Sequence, residues 1–269
     1  MIVLTLSSIP PRFGGLPKFF AHLARQDLRP DLVELNLPDS YRRFPGPVPS
    51  LPGLPDWVRV CRGGEDLGPA TKILPTLVRH RGADPRLVYC DDDRIYDRAW
   101  LARLVETQRA HPDCAICESG WIIADARPPV DPALPLTKRQ ARRAKWLRAA
   151  SLGLWQRHRL QFRRAGEVQI AEGFGGVLLR GAWLDDSTRH LPDLAWPVDD
   201  IWLSGALARK GITIRVSRGA RRSNRLTRDD RAALSAAVID GRWRDAQNSA
   251  CIAYLRATYG IWPRMPAVT

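Results

Sequence analysis

The first half of the chain alternates short apolar runs with amphipathic stretches. The apolar runs predict buried strands at residues 2–6, 32–37, 57–61 and 87–90, and helical spacing of apolar positions marks residues 16–25 and 68–80. Pro75 should kink the second of these helices or delay its start. Residues 38–55 are rich in proline and are expected to form an irregular loop. This alternation is typical of an α/β fold, with a mainly parallel sheet flanked by helices.

The second half continues the pattern. Further strands are predicted at residues 114–123, 174–179 and 212–216, and helices at 199–210 and 242–259. Asp97 is expected to cap the helix that follows the strand at 87–90. The sequence Thr227-Arg228-Asp229-Asp230 resembles a capping box and predicts one more helix, which runs to residue 239. The sequence shows no internal repeat. We expect a single domain with a basic helical insertion.

One segment departs from this pattern. Residues 132–166 contain ten Lys or Arg and no carboxylate. Within them, Leu147, Leu154 and Trp155 can share an apolar stripe at helical spacing, beside a basic face that begins at Lys138. A basic face next to Trp and Leu is typical of a helix that lies at a membrane interface. We therefore predict a basic helical segment over 137–164 that contacts an anionic membrane surface or a lipid-linked acceptor. A surface helix with solvated cations is the alternative.

The formal net charge of +14 also indicates an anionic partner, which could be nucleic acid, anionic lipid or a phosphorylated substrate. No apolar run is long enough to span a membrane. The N-terminus lacks the basic region of a signal peptide, and its apolar run is short. We therefore expect a cytoplasmic protein, with peripheral contact at the inner face of the membrane as a further expectation.

The five cysteines carry no recognisable framework. Cys114 and Cys117 form a lone CxxC, and no second pair follows to complete a zinc site. We interpret them as small apolar residues in a strand.

Three consecutive aspartates, Asp91, Asp92 and Asp93, follow the apolar strand at 87–90. Ligands bind outside the carboxyl ends of strands in open α/β sheets. Adjacent carboxylates repel one another unless a cation or positive groups compensate them. A Mg²⁺ or Mn²⁺ ion held by one or two of them could also bind the phosphates of a nucleotide diphosphate. If the segment stays extended, Asp91 and Asp93 point to the same side. The alternative is a solvated acidic turn that caps the next helix.

Four motifs follow one another along the chain. They are the opening Leu4-Thr5-Leu6-Ser7-Ser8-Ile9-Pro10-Pro11-Arg12, the segment Asp66-Leu67-Gly68-Pro69-Ala70-Thr71-Lys72, the strand and aspartates at 87–96, and Val198-Asp199-Asp200-Ile201-Trp202-Leu203 followed by Gly211-Ile212. In this order they resemble the motifs of GT-A fold nucleotide-sugar glycosyltransferases, of the bacterial kind with a DXD motif. The segment Glu172-Gly173-Phe174-Gly175-Gly176-Val177 resembles the strand that faces the acceptor in that family. The resemblance covers residues 1–125 and 170–217. The segment 132–166 has no counterpart in it.

The resemblance implies a role for each motif. Asp93 and Asp91 would bind the metal, and Asp91 could instead contact the ribose, while Asp92 could point inward and orient the loop. Thr5 and Ser7 belong to the nucleotide-binding loop of the first strand. Arg12 and Lys72 would contact the phosphates or nearby groups of the donor, and Asp66 would contact the edge of its base.

The acidic pair at the start of a helix supplies the catalytic candidates. Its second carboxylate is usually the base in inverting members of this family, so Asp200 is our choice and Asp199 the alternative. Deprotonation of an attacking sugar hydroxyl needs such a carboxylate within hydrogen-bond reach. Both aspartates could instead only cap the helix. The basic run after the strand at 212–216 could close over the diphosphate or be a solvated loop, and it comprises Arg218, Arg221, Arg222 and Arg225.

We therefore expect a metal-dependent glycosyltransferase that uses Mn²⁺ or Mg²⁺. It would move a sugar from a nucleotide diphosphate sugar to a carbohydrate or lipid-linked acceptor, with inversion favoured, in surface polysaccharide assembly. Residues 1–125 would bind the nucleotide sugar, 126–168 form the basic helical insertion, and 169–269 bind the acceptor and end in helices. A nucleotidyltransferase is one alternative, although Gly14-Gly15 is a poor match to a phosphate loop. A basic nucleic-acid-binding protein is the other, but nucleic acid is not the expected partner.

Overall fold

The structure is a computed structural model and describes residues 1–140, 142, 150, 160–227 and 243–266. Eight strands form the central sheet, and three two-stranded sheets accompany it within this part of the chain. The central strands are β1 (Ile2–Ser7), β2 (Leu32–Leu37), β3 (Val58–Arg62), β4 (Arg86–Tyr89), β6 (Cys114–Cys117), β10 (Glu167–Val168), β12 (Val177–Arg180) and β13 (Thr213–Val216). The small sheets pair β5 (Arg94–Ile95) with β14 (Asn224–Arg225), β7 (Gly120–Trp121) with β11 (Ile170–Ala171), and β8 (Leu134–Pro135) with β9 (Phe162–Arg164).

The central sheet has the strand order β10-β13-β6-β12-β4-β1-β2-β3. The pairs β1–β2, β1–β4, β2–β3 and β6–β13 are parallel, and β12 is antiparallel to both of its neighbours, as β10 is to β13. Six strands therefore run in one direction, against β12 and β10, and their carboxyl ends meet at one edge of the sheet. Strands from both halves of the chain share this sheet. The predicted mainly parallel α/β architecture is confirmed.

Helices cover both faces of the sheet. They are α1 (Leu16–Leu23), α2 (Leu74–Arg79), α3 (Trp100–Ala110), α4 (Asp199–Arg209) and α5 (Arg244–Tyr259) among the described residues. Along β1, Leu4 and Leu6 pack into a core with α1 and α3, whereas Val3 packs into a core with α2 and α4. This alternation follows from the two-residue period of a strand that is buried on both faces. A third core joins α4 to α5.

Several predicted elements differ from the observed ones. Gly68–Lys72 forms a 3₁₀ helix, and α2 starts only at Leu74, because Pro75 fits the first turn of a helix and not its interior. Asp97 was expected to cap α3, but the N-cap position is Ala99, and the Asp97 carboxylate accepts the backbone N–H of Ala99. That carboxylate is also held by Arg103, which draws it away from the cap position.

Two predicted strands are shorter than expected. The strand predicted at 114–123 divides into β6 and β7, and the one predicted at 174–179 begins with a 3₁₀ turn at Gly173–Gly175. The backbone at Gly176 has φ +87, which favours glycine and separates that turn from β12. Cys114 and Cys117 lie in β6 as free thiols, as the interpretation of the lone CxxC expected.

Two predictions fall mainly outside the described residues. These are the helix to residue 239 with its capping box, and most of the basic segment at 137–164. In the part of the chain that the structure describes, no helix is both long and apolar enough to cross a membrane.

Candidate active site

A cavity of about 440 Å³ opens at the edge where the parallel strands end. Residues that follow β1, β2 and β4 line it, together with the start of α4 and the first turns of α5. Its described walls carry seven cationic and seven acidic side chains. They are Arg12, Arg43, Lys72, Arg94, Arg222, Arg225 and Arg244, against Asp66, Asp91, Asp92, Asp93, Glu172, Asp199 and Asp200. The size fits a small-molecule site, and the position is the one where α/β sheets bind their ligands.

The first aspartate of the triplet, Asp91, is paired with a buried lysine. Lys72 Nζ donates to Asp91 Oδ1 at 2.6 Å and lies 3.1 Å from Asp199 Oδ2. Burial alone would lower the pKa of Lys72, but the charges of Asp199, Asp91 and Asp200 raise that pKa well above its ordinary value. Burial acts against the charge of Asp91, yet Lys72 holds the pKa of that carboxyl below its usual range. The lysine therefore stays charged and links the two acidic motifs.

The second aspartate, Asp92, lines the cavity but is only 4% exposed. Its carboxylate accepts a hydrogen bond from Ser8 Oγ at 2.5 Å and another from Arg12 at 2.9 Å. Burial raises the pKa of Asp92 to about 6, against the lowering effect of Arg12 and Ser8. These contacts join the triplet to the loop after β1, which is the orienting position considered for Asp92 from the sequence.

The third aspartate, Asp93, lies between two guanidinium groups. Its carboxylate is 3.3 Å from Arg12 Nη2 and 3.2 Å from Arg94 Nε. Residues 92 and 93 form a turn, so the extended geometry considered for the triplet does not occur. Asp91 and Asp93 still line the same cavity. Each of the three carboxylates has its own cationic partner.

This arrangement can be tested against the metal that the resemblance implies. Among the described residues, no group of three or more His, Cys, Asp or Glu side chains is arranged to hold a metal ion. Mg²⁺, however, is commonly bound through one or two protein carboxylates, with substrate phosphates and water completing its shell. Asp91 and Asp93 meet this smaller requirement. The residues present therefore fit a metal that binds together with a phosphorylated ligand.

The acidic pair at the start of α4 faces the triplet across Lys72. Asp199 is buried and pairs with Lys72, whereas Asp200 accepts the backbone N–H of Gly173 at 2.9 Å. Burial and the adjacent charge of Asp199 raise the pKa of Asp200 above its ordinary value. A side-chain Cβ at position 173 would lie 2.7 Å from Lys72 Nζ and 3.1 Å from Asp200 Oδ1, so a larger residue there would displace the lysine ammonium group. A carboxyl group with a raised pKa at a cavity wall suits a proton acceptor.

A buried polar layer beneath the cavity holds the main chain at Lys72. Thr5 Oγ1 donates to the Lys72 carbonyl at 2.5 Å, and Asn36 Nδ2 donates to the same oxygen at 3.3 Å. Asn36 also donates to Thr76, which donates to the fully buried Glu34. Thr5 does not line the cavity, although the family resemblance suggested donor contact for it. Ser7, by contrast, is one of the lining residues.

Asp66 organises a turn at the other end of the cavity. Its carboxylate accepts the backbone N–H groups of Arg42 and Gly68, each at 2.8 Å. Trp196 Nε1 donates to the Asp66 carbonyl at 3.0 Å, and the Arg42 guanidinium lies 5.2 Å from the Trp196 ring. The Asp66 oxygens that were expected to meet a base edge thus already accept backbone donors. Tyr41 and Phe44 add aromatic surface to this end.

The basic run after β13 divides between two positions. Arg222 and Arg225 line the cavity. The backbone N–H of Arg221 instead donates to Glu118, a fully buried carboxylate that also accepts Arg103 and Ser217. Two of the four arginines are therefore near enough to contact a ligand. Arg218 is exposed and does not line the cavity.

Several cavity residues had no individual role in the sequence prediction. Arg94 directly follows the aspartate triplet, and this adjacency was a usable signal. Arg244 and Asn248 lie on α5, which is distant from the motifs in the chain, and only the packing of α5 against α4 brings them to the cavity. Trp121 lines the cavity because its strand, β7, pairs with β11, in which Ile170 lies directly opposite it.

The chain matches no protein-family model and no curated protein. Several solved structures are similar to this chain. One is a UTP-bound UGPase from Acinetobacter baumannii, with 10% identity over 97% of this chain and 95% of that chain, and a TM-score of 0.45. Another is a 4-diphosphocytidyl-2C-methyl-D-erythritol synthase, with 16% identity over 84% and 92% and a TM-score of 0.41. A mycobacterial protein has 16% identity over 97% and 74% and a TM-score of 0.44. At these levels the similarities establish no shared activity.

Proposed function

We propose that the protein is a transferase that acts on a nucleotide, and that it moves a sugar from a nucleotide diphosphate sugar to an acceptor hydroxyl with inversion. The observation that carries this proposal is the position of Asp200, whose carboxyl has a raised pKa and lines the same cavity as the aspartate triplet. A neutral hydroxyl must lose its proton as it attacks, and a nearby carboxylate can accept that proton. Asp199 is engaged by Lys72, which supports Asp200 as the base.

In the proposed reaction, Asp200 accepts the proton of the acceptor hydroxyl while the hydroxyl oxygen forms a bond to the anomeric carbon. The bond from that carbon to the diphosphate oxygen breaks, and the diphosphate leaves with the electron pair. Arg12 and Arg94, which flank Asp93, would stabilise the charge of the leaving group. Arg225, which is paired with Arg94 in the small sheet of β5 and β14, and Arg222 would add to this stabilisation.

Asp93 and Asp91 are the residues that would hold a Mn²⁺ or Mg²⁺ ion. When bound, such an ion neutralises charge on the leaving diphosphate. Ser7 at the end of β1 and Ser8 in the loop after it would lie against the nucleotide.

A nucleotidyltransferase is the second candidate. The observation in this chain that favours it is the set of seven cationic side chains around the cavity, which could also hold a triphosphate. The names of two of the similar structures, the UTP-bound UGPase and the 4-diphosphocytidyl-2C-methyl-D-erythritol synthase, are consistent with nucleotidyl transfer. Transfer of a nucleotidyl group to a phosphorylated sugar would, however, leave Asp200 without a neutral hydroxyl to deprotonate.

The identity of the leaving group separates the two candidates. The purified protein would be incubated with a panel of nucleotide sugars, and separately with nucleoside triphosphates and sugar phosphates. We expect nucleoside diphosphate release from one of the nucleotide sugars and no pyrophosphate release from the triphosphates. Asp200→Asn should abolish most of this release, and Asp113→Asn should not, since Asp113 is exposed near the amino end of β6. Release of pyrophosphate instead would establish the second candidate.

We also propose, by analogy with the family, that the acceptor is a carbohydrate or lipid-linked saccharide in surface polysaccharide assembly. The basic composition of residues 132–166 supports contact with an anionic membrane surface, where each cation contributes about 1 kcal/mol. Co-sedimentation with anionic vesicles should exceed that with neutral vesicles and fall with salt. Replacement of Lys138, Arg139, Arg142 and Arg143 by Gln should reduce it. Equal recovery with both kinds of vesicle would refute the contact.

A further inference from the structure

The end of the cavity beside Asp200 has no assigned ligand. The small sheet of β7 and β11 forms one of its walls, in which Trp121 lies directly opposite Ile170. Glu172 is two residues beyond Ile170, and side chains two residues apart along an extended strand share a face. All three line the cavity. This wall therefore presents an indole, an aliphatic side chain and a carboxylate together.

Helix α5 supplies another part of the cavity lining. Arg244 lies in its first turn, donates to the Pro197 carbonyl at 2.6 Å, and has Nη2 3.9 Å from Asp200 Oδ2. Asn248 is four residues further along, so it lies on the same face of the helix. Its Oδ1 is buried and, within the described part of the chain, has no hydrogen-bond partner. A buried amide oxygen without a donor is costly in a folded protein, which points to a ligand that donates to it.

The polar side chains of this region differ in whether they donate or accept hydrogen bonds. The Glu172 carboxylate already accepts Ser119 Oγ at 2.6 Å, and an ionised carboxylate only accepts. A guanidinium such as that of Arg244 only donates, and the Asn248 amide can do both. Neighbouring hydroxyls on a ring can donate and accept in turn, so they match this mixture.

The charges also disfavour an acidic ligand. Glu172 and Asp200 are both acidic, and the nearby cations already interact with them, Arg244 and Arg222 with Glu172 and Lys72 and Arg244 with Asp200. A phosphate or carboxylate in this position would meet at least one of these carboxylates, which opposes its binding. An aromatic side chain beside polar groups offers a flat apolar surface to the less polar face of a ring.

We propose that Trp121, Glu172, Arg244 and Asn248 form a subsite for a neutral pyranose ring, adjacent to Asp200. The identification of this ring as the acceptor sugar rests on the proposed function. The binding itself requires no donor and no turnover, so it can be tested separately.

Saturation-transfer NMR with the full chain tests the subsite directly. The probes are methyl α- and β-pyranosides of glucose, galactose, mannose and N-acetylglucosamine, with a methyl glucuronide as the acidic comparison. We expect binding of at least one neutral pyranoside, and weaker binding of the glucuronide. Asn248→Ala and Trp121→Leu should each weaken that binding about 3- to 10-fold, as the loss of one hydrogen bond or one ring contact predicts.

Ser249→Ala is the matched control, since Ser249 is exposed on the same helix and donates to the Asp245 carbonyl. It should change the affinity by less than about 2-fold, which is the size of a small surface effect. Urea unfolding of each variant would confirm that it folds, and Asn248→Ala keeps the test valid should Trp121→Leu be unstable.

The outcomes separate the subsite from the proposed function. Pyranoside binding that Asn248→Ala weakens supports the subsite even when no nucleotide sugar is turned over. Where transfer is observed, Asn248→Ala should raise the KM for the acceptor and leave hydrolysis of the donor by water unchanged. Failure of every neutral pyranoside to bind, equal binding by wild type and both variants, or tighter binding of the glucuronide would overturn the proposal.

Discussion

Replacement of Lys72 by Met should destabilise the protein far more than an ordinary loss of a surface charge. Lys72 is 4% exposed and contacts two carboxylates, Asp91 at 2.6 Å and Asp199 at 3.1 Å. Methionine has a similar length, so the substitution removes the charge and leaves little empty volume. Asp199 would then be a buried carboxylate without its ammonium partner.

The expected magnitude follows from that burial. Removal of one member of a buried ion pair costs about 3–5 kcal/mol, because the partner is left uncompensated. For a chain of this size, that corresponds to a fall in Tm of roughly 10 °C. Lys210→Met is the matched control. Lys210 pairs with Asp185 at 2.8 Å, but these side chains are 47% and 35% exposed, and such a pair contributes at most about 1 kcal/mol.

The difference between wild type and Lys72→Met should also depend on pH. The lowered pKa of Asp91 contributes stability that is present above its unfolded pKa of about 3.9 and is lost as the pH falls through its folded pKa. The raised pKa of Lys72 contributes stability that is full below about pH 10 and is lost as the pH rises through its folded pKa. The difference in the free energy of unfolding between wild type and Lys72→Met, measured with urea from pH 3 to pH 9, should therefore be largest near neutral pH and smaller at acid pH. A loss no larger than that of Lys210→Met, or one that grows in acid, would refute the reasoning.

Three further predictions concern the site and its support. Gly176→Ala should cost about 2–4 kcal/mol in urea unfolding, because its Cβ would lie 2.2 Å from the Trp100 ring; Gly211→Ala, also at positive φ but with open space around its Cβ, should cost only about 1 kcal/mol. Transferase activity should rise with pH as Asp200, with its raised pKa, loses its proton; Asp200→Asn should lower turnover by about 10²-fold and remove that rise, and an unchanged profile would contradict the base assignment. Asp93→Ala should abolish activity in a folded protein, and EDTA should do the same to wild type; full activity in either case would exclude the metal role.

The fold was predictable wherever burial alone determined the pattern. Strands buried on both faces appear in the sequence as apolar runs, and β1, β2 and β4 were predicted to within one or two residues. The end of β4 could be placed for the same reason, and with it the aspartate triplet. The position of β12, antiparallel between β4 and β6, depends on pairing between distant segments and left no local signal.

The site was predictable as a set of motifs but less so as a set of contacts. Asp200 and the triplet line one cavity, as their positions at a helix start and a strand end suggested. Lysine is seldom buried unless it is paired, so nothing in the sequence marked Lys72 as the link between the two motifs. Arg244 and Asn248 reach the cavity only because α5 packs against α4.

The net charge of the chain turned out to be a poor guide to its cavity. The described walls carry equal numbers of cationic and acidic side chains, so the cavity contributes none of the +14. Residues 132–166 alone contribute +10, from ten cations and no carboxylates, which leaves +4 for the remainder of the chain. Whatever anionic partner the charge indicates, most of the attraction must therefore come from that segment. In the proposed function, donor binding would depend instead on how individual ion pairs, such as Lys72 with Asp91, rearrange when phosphates bind.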